Sequence, residues 1–142
     1  MRLLIVVPAL LLSIMLTACD VVRRDQIRVV PPQAASDASP ALEAAVTAAL
    51  GEVAARFGFV DALARAREEG VVAYYLEDVE HFPIAFGARR EGEGLVVDIH
   101  HFAAGGGGSA RYAAVRAALV DTLSDRLGAG SVRVVERAPH PR

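Results

Sequence analysis

Residues 84–102, IAFGARREGEGLVVDIHHF, decide the fold because they contain two strand-forming segments joined by a glycine-rich turn. In the first segment, residues 84–89, apolar side chains recur at every second position, which is the spacing of a strand with one buried face. The second segment, residues 95–102, is rich in β-branched residues. The turn between them, residues 90–94, contains two glycines. By its length and turn chemistry, this stretch predicts a β-hairpin.

Two segments with apolar residues at helical spacing flank this hairpin in the sequence and predict amphipathic helices. The first begins at Pro40, a residue suited to the first helical position, after the N-cap Ser39, and its stripe ends at Phe57. The second follows the N-cap Ser109 and ends at Gly128. The stripes consist of Leu42, Val46, Leu50, Val53 and Phe57 in the first helix and of Tyr112, Val115, Leu119, Leu123 and Leu127 in the second.

Residues 71–76 and 131–137 predict two further strands, because both are rich in β-branched residues. Residues 60–69 predict a second helical piece that ends at Gly70. The resulting order is α-(α)-β-β-β-α-β. It predicts an α+β domain of two layers, a mostly antiparallel four-stranded sheet with the helices on one face. We expect the last helix to act as a crossover that brings the final strand parallel to a neighbour.

The N-terminal segment has the features of an export signal. A short positive region at residues 1–2 precedes an apolar run of 14 residues, 3–16. This run is shorter than the roughly 20 residues that a membrane-spanning helix needs, and small residues follow it. The alternative is a buried N-terminal helix, which Pro8 and the polar shift at Asp20 disfavour.

The residues that follow the apolar run are Leu16-Thr17-Ala18-Cys19. They resemble the lipobox of bacterial lipoproteins, in which a Leu-like residue and two small or compact residues precede an obligatory Cys. The resemblance implies that the thiolate of Cys19 receives a diacylglycerol, that cleavage removes residues 1–18, and that the new amine is acylated. Two or more acyl chains anchor a soluble domain firmly. The alternative is a free or buried Cys behind an ordinary signal.

The resemblance implies a protein on the periplasmic side of a bacterial membrane, with the membrane as partner through the lipid on Cys19. Asp20 resembles the inner-membrane retention signal of enteric lipoproteins, and the outer membrane is the alternative. Residues 20–39 predict a flexible tether, with a short edge strand at residues 27–29 as the alternative. The predicted organisation is a cleaved signal at 1–18, the lipidated Cys and tether at 19–39, one domain at 40–137 and a disordered tail at 138–142.

The composition argues against a nucleic-acid partner. The chain carries 15 basic and 17 acidic residues, has a formal net charge of −2 and contains no basic block. Its single cysteine cannot form an intramolecular disulfide. We therefore expect the domain to be held together by packing alone.

Polar residues that could support chemistry gather at the second hairpin strand. Asp98 and His100 share one face at period two, and His81 in the preceding loop can approach them. Imidazole and carboxylate groups form a suitable ligand set for Zn²⁺, so these three residues are the candidate metal site. Their spacing matches no metal-binding motif. The alternative is that Asp98 and His100 lie on the solvated face of the sheet and that His101 caps the apolar one.

No catalytic motif accompanies this cluster. The sequence has no G-x-S-x-G, H-E-x-x-H or C-x-x-C pattern, and it predicts no cofactor. Residues 105–109, GGGGS, lack the phosphate-loop lysine and predict a flexible connector. Tyr74 and Tyr75 alternate across their strand, so we expect one of them to face solvent or a partner.

Taken together, these features predict a lipid-anchored, non-catalytic binding or accessory module of the cell envelope. One alternative is a metal-binding protein or metal-dependent enzyme that uses His81, Asp98 and His100. Another is a structural envelope protein with a protein partner. The exposed sheet face separates them, because a concave polar pocket favours a ligand and a continuous apolar surface favours a protein partner.

Overall fold

A computed structural model describes residues 21–31, 40–77, 84–103 and 109–136, and at residues 21–23, 102–103 and 136 it describes the backbone only. Two helices and six strands make up these residues, with short 3₁₀ turns at Leu63–Arg65 and Ala129–Ser131. The elements are β1 (Val21–Val29), α1 (Pro40–Phe57), β2 (Val60–Asp61), β3 (Val71–Leu76), β4 (Ile84–Glu91), β5 (Gly94–Ala103), α2 (Ala110–Leu127) and β6 (Val132–Glu136).

The strands form one sheet in the order β2-β3-β4-β5-β1-β6, in which every neighbouring pair is antiparallel. Both helices pack on the same face, since buried residues of α1 and α2 form one cluster with those of the sheet. The α+β class is therefore confirmed. The predicted count of four strands is wrong, because β1 and β2 arise from segments that the sequence assigns to other structures.

Strand β1 lies within the segment predicted as a tether, and it is an interior strand between β5 and β6. Ile27 and Val29 are almost completely buried on the helix face, whereas the alternate positions, Gln26 and Arg28, are polar. A strand with so few apolar residues gives a weak periodic signal, and its buried polar residues depend on partners far away in the sequence. The folded region therefore extends on the N-terminal side of residue 40.

The final strand also differs from its prediction. Strand β6 runs in the same direction as β5, as a crossover through α2 allows, but β1 lies between the two. Its hydrogen-bonded neighbour is therefore the antiparallel β1 and not a parallel strand. The error follows directly from the assignment of β1 as a tether.

The two main helices have the bounds that their capping residues predict. The Oγ of Ser109 accepts a hydrogen bond from the Tyr112 N–H at 3.0 Å, and Gly128, with φ of 85°, ends α2. The predicted second helical piece at residues 60–69 is wrong. There the chain forms β2, which pairs with the end of β3, and then a 3₁₀ turn. Ala62 is the one buried residue of this segment. Residues 60–69 therefore provide no apolar stripe that could hold a helix against the sheet.

The core lies between the helices and one face of the sheet. Phe86 of β4 is near its centre, with its ring 5.0 Å from that of Phe59 and 5.4 Å from that of Tyr75. A smaller cluster of Ala62, Leu76 and Ala85 lies on the opposite face, beneath the 3₁₀ turn. The helices thus cover one face of the sheet, and residues 62–69 cover part of the other.

Candidate functional site

The sheet face opposite the helices carries the polar side chains of β1, β4 and β5. Directly paired residues of antiparallel strands share a face, so the register places Asp98 and His100 together on this face, as predicted. Two rows of paired residues cross it from β1 to β3. They are Gln26, Asp98, Gly87 and Tyr74 in one row and Arg24, His100, Ala85 and Leu76 in the next.

Asp98 is the centre of a hydrogen-bonded network. Its Oδ1 accepts hydrogen bonds from Gln26 Nε2 at 2.6 Å and Arg24 Nε at 2.9 Å. Its Oδ2 accepts one from Arg89 Nε at 3.0 Å. Burial alone would raise the pKa of Asp98, but the hydrogen bond from Gln26 and the guanidinium groups of Arg24 and Arg89 outweigh it and hold that pKa below its usual value. Asp98 is therefore a buried, ionised and well-satisfied carboxylate.

These partners of Asp98 are not apparent from the sequence alone. Arg24 and Gln26 lie in the segment predicted as a tether, and Arg89 is predicted as the end of a strand. The signal available in the sequence is the alternation of residues 24–29, where polar Arg24, Gln26 and Arg28 interleave with Asp25, Ile27 and Val29. That pattern indicates a strand with one polar face.

These contacts weaken the case for the alternative in which His81, Asp98 and His100 form a metal site. Both carboxylate oxygens of Asp98 contact a guanidinium group, so a metal ion there would meet a positive charge at short range. His81 lies outside the described residues. Across residues 21–31, 40–77, 84–103 and 109–136, no three His, Cys, Asp or Glu side chains are grouped so that they could hold a metal ion.

A pocket of about 380 Å³ opens beside Asp98 on the same face. Its floor is β4, where small residues leave space between the larger side chains of β3 and β5, and residues 65–68 line its rim. The volume is within the range of about 300–1,000 Å³ that small-molecule sites occupy. We call this pocket the trough and define it by Arg65, Arg67, Tyr74, Gly87, Asp98 and His100.

Gly87 keeps the floor of the trough open. A Cβ atom at this position would lie 2.6 Å from the Ala73 carbonyl oxygen and 3.0 Å from Tyr74 Cδ2, so a side chain there would force β3 and β4 apart. With neighbouring strands about 4.8 Å apart, β3 and β5 lie about 10 Å from each other across this floor. The trough is thus about two strand spacings wide.

The two rings that flank the floor are both uncharged near neutral pH. Burial, together with the nearby Arg24 guanidinium, lowers the pKa of His100 against the opposing effects of Asp98 and Glu68. Burial and the nearby Glu68 carboxylate raise the pKa of the Tyr74 phenol. The trough therefore presents two neutral aromatic groups, each with atoms that can form hydrogen bonds.

The charged residues at the rim differ in exposure and ion pairing from those beneath it. Arg65 and Arg67 are exposed, and within the described part of the chain neither forms an ion pair. Glu68, next to them, is also exposed. In contrast, Arg89 is bonded to Asp98. Exposed charges thus surround the mouth, and a hydrogen-bonded network lies below it.

The helix face of the sheet has a polar cluster of its own. Asp25 is 1 % exposed, and its Oδ2 accepts a hydrogen bond from the Tyr112 hydroxyl at 2.7 Å and lies 3.4 Å from Arg116 Nε. His101 is buried on this face, as predicted, with its ring stacked on that of Tyr112 at 4.8 Å. This cluster fastens α2 to β1 and faces away from the trough.

The remaining predicted positions divide between the two faces and the undescribed segments. Tyr75 packs on the helix face near Phe86, and Tyr74 lines the trough. The predicted lipid attachment site Cys19, the sorting residue Asp20, residues 105–108 and the tail at 138–142 lie outside the described residues. Ser109 acts as a helix cap.

No protein-family model matches the chain, and no curated protein is significantly similar to it. Of the helices that the structure describes, none combines the length and the apolar character needed to cross a membrane. The features that bear on function are therefore the N-terminal resemblance and the geometry of the trough.

Proposed function

We propose that the protein is a lipid-anchored binding module of the bacterial cell envelope that holds a small molecule in the trough. The observation that carries the binding role is a concave site on the sheet face that the helices leave uncovered, built over the buried Asp98 network. The lipobox resemblance of residues 16–19 supports the anchor on Cys19 and a location on the periplasmic side. Asp20 favours the inner membrane within this proposal.

The position of β1 sets the distance between the proposed anchor and the trough. Val21 is two residues after Cys19, and two residues span at most about 7 Å. His100 pairs with Arg24, which lies about 10 Å along β1 from Val21 at 3.3 Å per residue. Under this proposal the trough lies within about 20 Å of the bilayer surface. The domain would then work close to the membrane.

The state of Asp98 favours binding over acid–base catalysis. A general base works best when its pKa lies near the working pH, whereas the pKa of Asp98 is lowered and its oxygens are already occupied by donors. A metal-dependent reaction would require Asp98 to leave Arg24 and Arg89. These contacts therefore support a carboxylate that holds the sheet surface in place beside a ligand.

The anchor is tested by replacing Cys19 in the full chain expressed in bacteria. We expect the wild-type chain to fractionate with membranes and to carry the mass of a diacylglycerol, and Cys19→Ser to remain unprocessed and unlipidated. Thr17→Ser is the control, because it keeps a small residue at the second position of the lipobox. Equal lipid mass in Cys19→Ser and the wild type would refute the anchor.

The binding role is tested by a fragment screen that is followed through the backbone amide NMR signals of the full chain in detergent micelles. The blocking variant is Ala66→Trp, since Ala66 lines the trough from its rim. Its matched control is Ala64→Trp, because Ala64 is exposed on the same turn and is not part of the lining. We expect fragments that shift the trough amides to lose binding in Ala66→Trp alone. A screen in which no fragment shifts those amides would contradict the proposal.

A further inference from the structure

We infer that the ligand of the trough is a small anion carried on a flat apolar group, of the class of an aryl phosphate or an aryl carboxylate. This inference rests on the binding role proposed above and names the chemistry of its ligand. It combines two features of the site, the sign of the charge at the rim and the shape and character of the space beneath it.

The charge at the rim selects for an anion. Arg65 and Arg67 lie on the lining without an ion pair among the described residues. Of the two carboxylates on the lining, Asp98 is already paired and Glu68 does not balance both arginines. Guanidinium groups bind carboxylate and phosphate oxygens through paired hydrogen bonds, which are stronger than those between neutral groups. A ligand that enters the trough therefore meets a positive rim.

The charges beneath the floor balance one another. Asp98 is paired with both Arg24 and Arg89, and a second carboxylate, that of Glu91, lies 3.7 Å from the Arg89 guanidinium. The two guanidinium groups next to Asp98 offset its negative charge, so Asp98 does not repel an anion held above it. A cationic ligand, in contrast, would be opposed by Arg65 and Arg67 at the rim.

The space between rim and floor selects for a flat apolar group. The floor carries no side chain larger than a methyl group at Ala85 and Gly87, and the rings of Tyr74 and His100 lie on the strands to either side. Aromatic pairs place their ring centroids about 4.5–7 Å apart, so one ring between two strands about 10 Å apart can contact both of these side chains. The anionic group would then point towards Arg65 and Arg67.

The inference is tested by titrating three probes into the full chain in detergent micelles and following the trough amides by NMR. Phenyl phosphate carries both required parts, benzyl alcohol carries the ring without the charge, and inorganic phosphate carries the charge without the ring. We expect saturable binding of phenyl phosphate, and binding of each of the other two probes that is weaker by about tenfold or more.

Four substitutions test the sign of the charge. We expect the double variant Arg65→Gln/Arg67→Gln to weaken phenyl phosphate binding by about tenfold, since it removes charge-assisted hydrogen bonds. Glu68→Gln should strengthen binding by about two- to threefold, because it removes the opposing charge at the rim. Arg133→Gln removes one positive charge from exposed β6, away from the trough, and should change the affinity by less than about twofold.

The inference is overturned if phenyl phosphate does not bind saturably, or if benzyl alcohol or inorganic phosphate binds as tightly. It is also overturned if Glu68→Gln weakens binding, or if Arg133→Gln weakens it as much as the double variant does. These results differ from a failure of the proposed function. If a neutral or cationic fragment binds the trough and Ala66→Trp blocks it, the binding role stands and the anionic ligand class is wrong.

Discussion

The two faces of the sheet each bury a carboxylate, and they do so in different ways. On the helix face, Asp25 is sealed beneath α2 by the Tyr112 hydroxyl and Arg116. On the opposite face, Asp98 is held by Arg24, Gln26 and Arg89 at the side of an open pocket.

The two clusters differ in their access to solvent, because one lies beneath α2 and the other lies beside an open pocket. Both clusters depend on β1, since this strand sends Asp25 to one face and Arg24 and Gln26 to the other. A buried polar group on the closed face can act only on the protein itself. The network on the open face fixes a surface that a ligand can reach.

The largest effect is expected on the closed face. Replacing Asp25 with Ala leaves the Tyr112 hydroxyl and the Arg116 guanidinium without this acceptor in a buried site, which costs about 3–5 kcal/mol. The measurement is urea unfolding of a chain that begins at residue 20. Tyr112→Phe removes only the hydroxyl and should cost about 1–1.5 kcal/mol. A cost below about 1 kcal/mol for Asp25→Ala would contradict a structural role for this cluster.

An intermediate effect is expected on the open face. Asp98→Asn keeps the size of the side chain but removes the charge that pairs with Arg24 and Arg89, and we expect a loss of about 1–3 kcal/mol. Arg24 is 36 % exposed, so solvent screens part of its interaction and the cost stays below that of Asp25→Ala. The same unfolding experiment measures it. If Asp98→Asn lowers the free energy of unfolding by more than Asp25→Ala does, the closed face does not contain the more stabilising cluster, and the expected order of the two faces is wrong.

A smaller effect is expected on the pH dependence of the free energy of unfolding when His100 is replaced. Because the pKa of His100 is lower in the folded state than in the unfolded chain, the unfolded chain binds more protons as the pH falls below about 6.5. The contribution of His100 to the free energy of unfolding is therefore complete above about pH 6.5 and is lost as the pH falls towards the folded pKa of His100. We expect His100→Gln to flatten the stability profile between about pH 7 and 5. An unchanged profile would contradict the lowered pKa.

Asp98 should act in a lower pH range. Its folded pKa is lowered, so its contribution to stability is complete above the unfolded value of about 3.9 and is lost as the pH falls through the folded pKa. Comparing acid unfolding of the wild type and Asp98→Asn below about pH 4 isolates this contribution. A wild-type profile that is as flat as that of the variant in this range would count against the network.

The smallest effect is expected for an exposed ion pair. Arg90 of β4 forms a bidentate hydrogen-bonded pair with Glu43 of α1, at 2.9 Å for each bond. Arg90 is 58 % exposed, and exposed pairs contribute about 0–1 kcal/mol. We expect Glu43→Gln to change the free energy of unfolding within that range. A larger loss would mean that exposed ion pairs contribute as much to the free energy of unfolding as the buried clusters do.

Local signals predicted much of this fold. Ser109, Gly128 and Pro40 mark the limits of the helices, because capping and backbone restrictions act over a few residues. The period of two in residues 95–102 also placed Asp98 and His100 on one face. These features need no knowledge of distant partners.

The sequence did not reveal β1 or the trough, for one physical reason. The polar residues of β1 are stable inside a sheet only because Asp98 and Tyr112, more than 70 residues away, supply their partners. The rim of the trough depends on β2 and a 3₁₀ turn, in a segment whose composition also suits a helix. Such contacts form only in the folded chain and produce little hydrophobic periodicity in the sequence.

We propose that the open face of the sheet is a ligand site. Its most direct test is the fragment screen on the wild type, Ala66→Trp and Ala64→Trp, with the amide signals of the trough as readout. We predict that at least one fragment shifts Tyr74, Gly87 and His100 in the wild type and in Ala64→Trp but not in Ala66→Trp. Shifts that persist in Ala66→Trp, or their absence from the wild type, would contradict the claim.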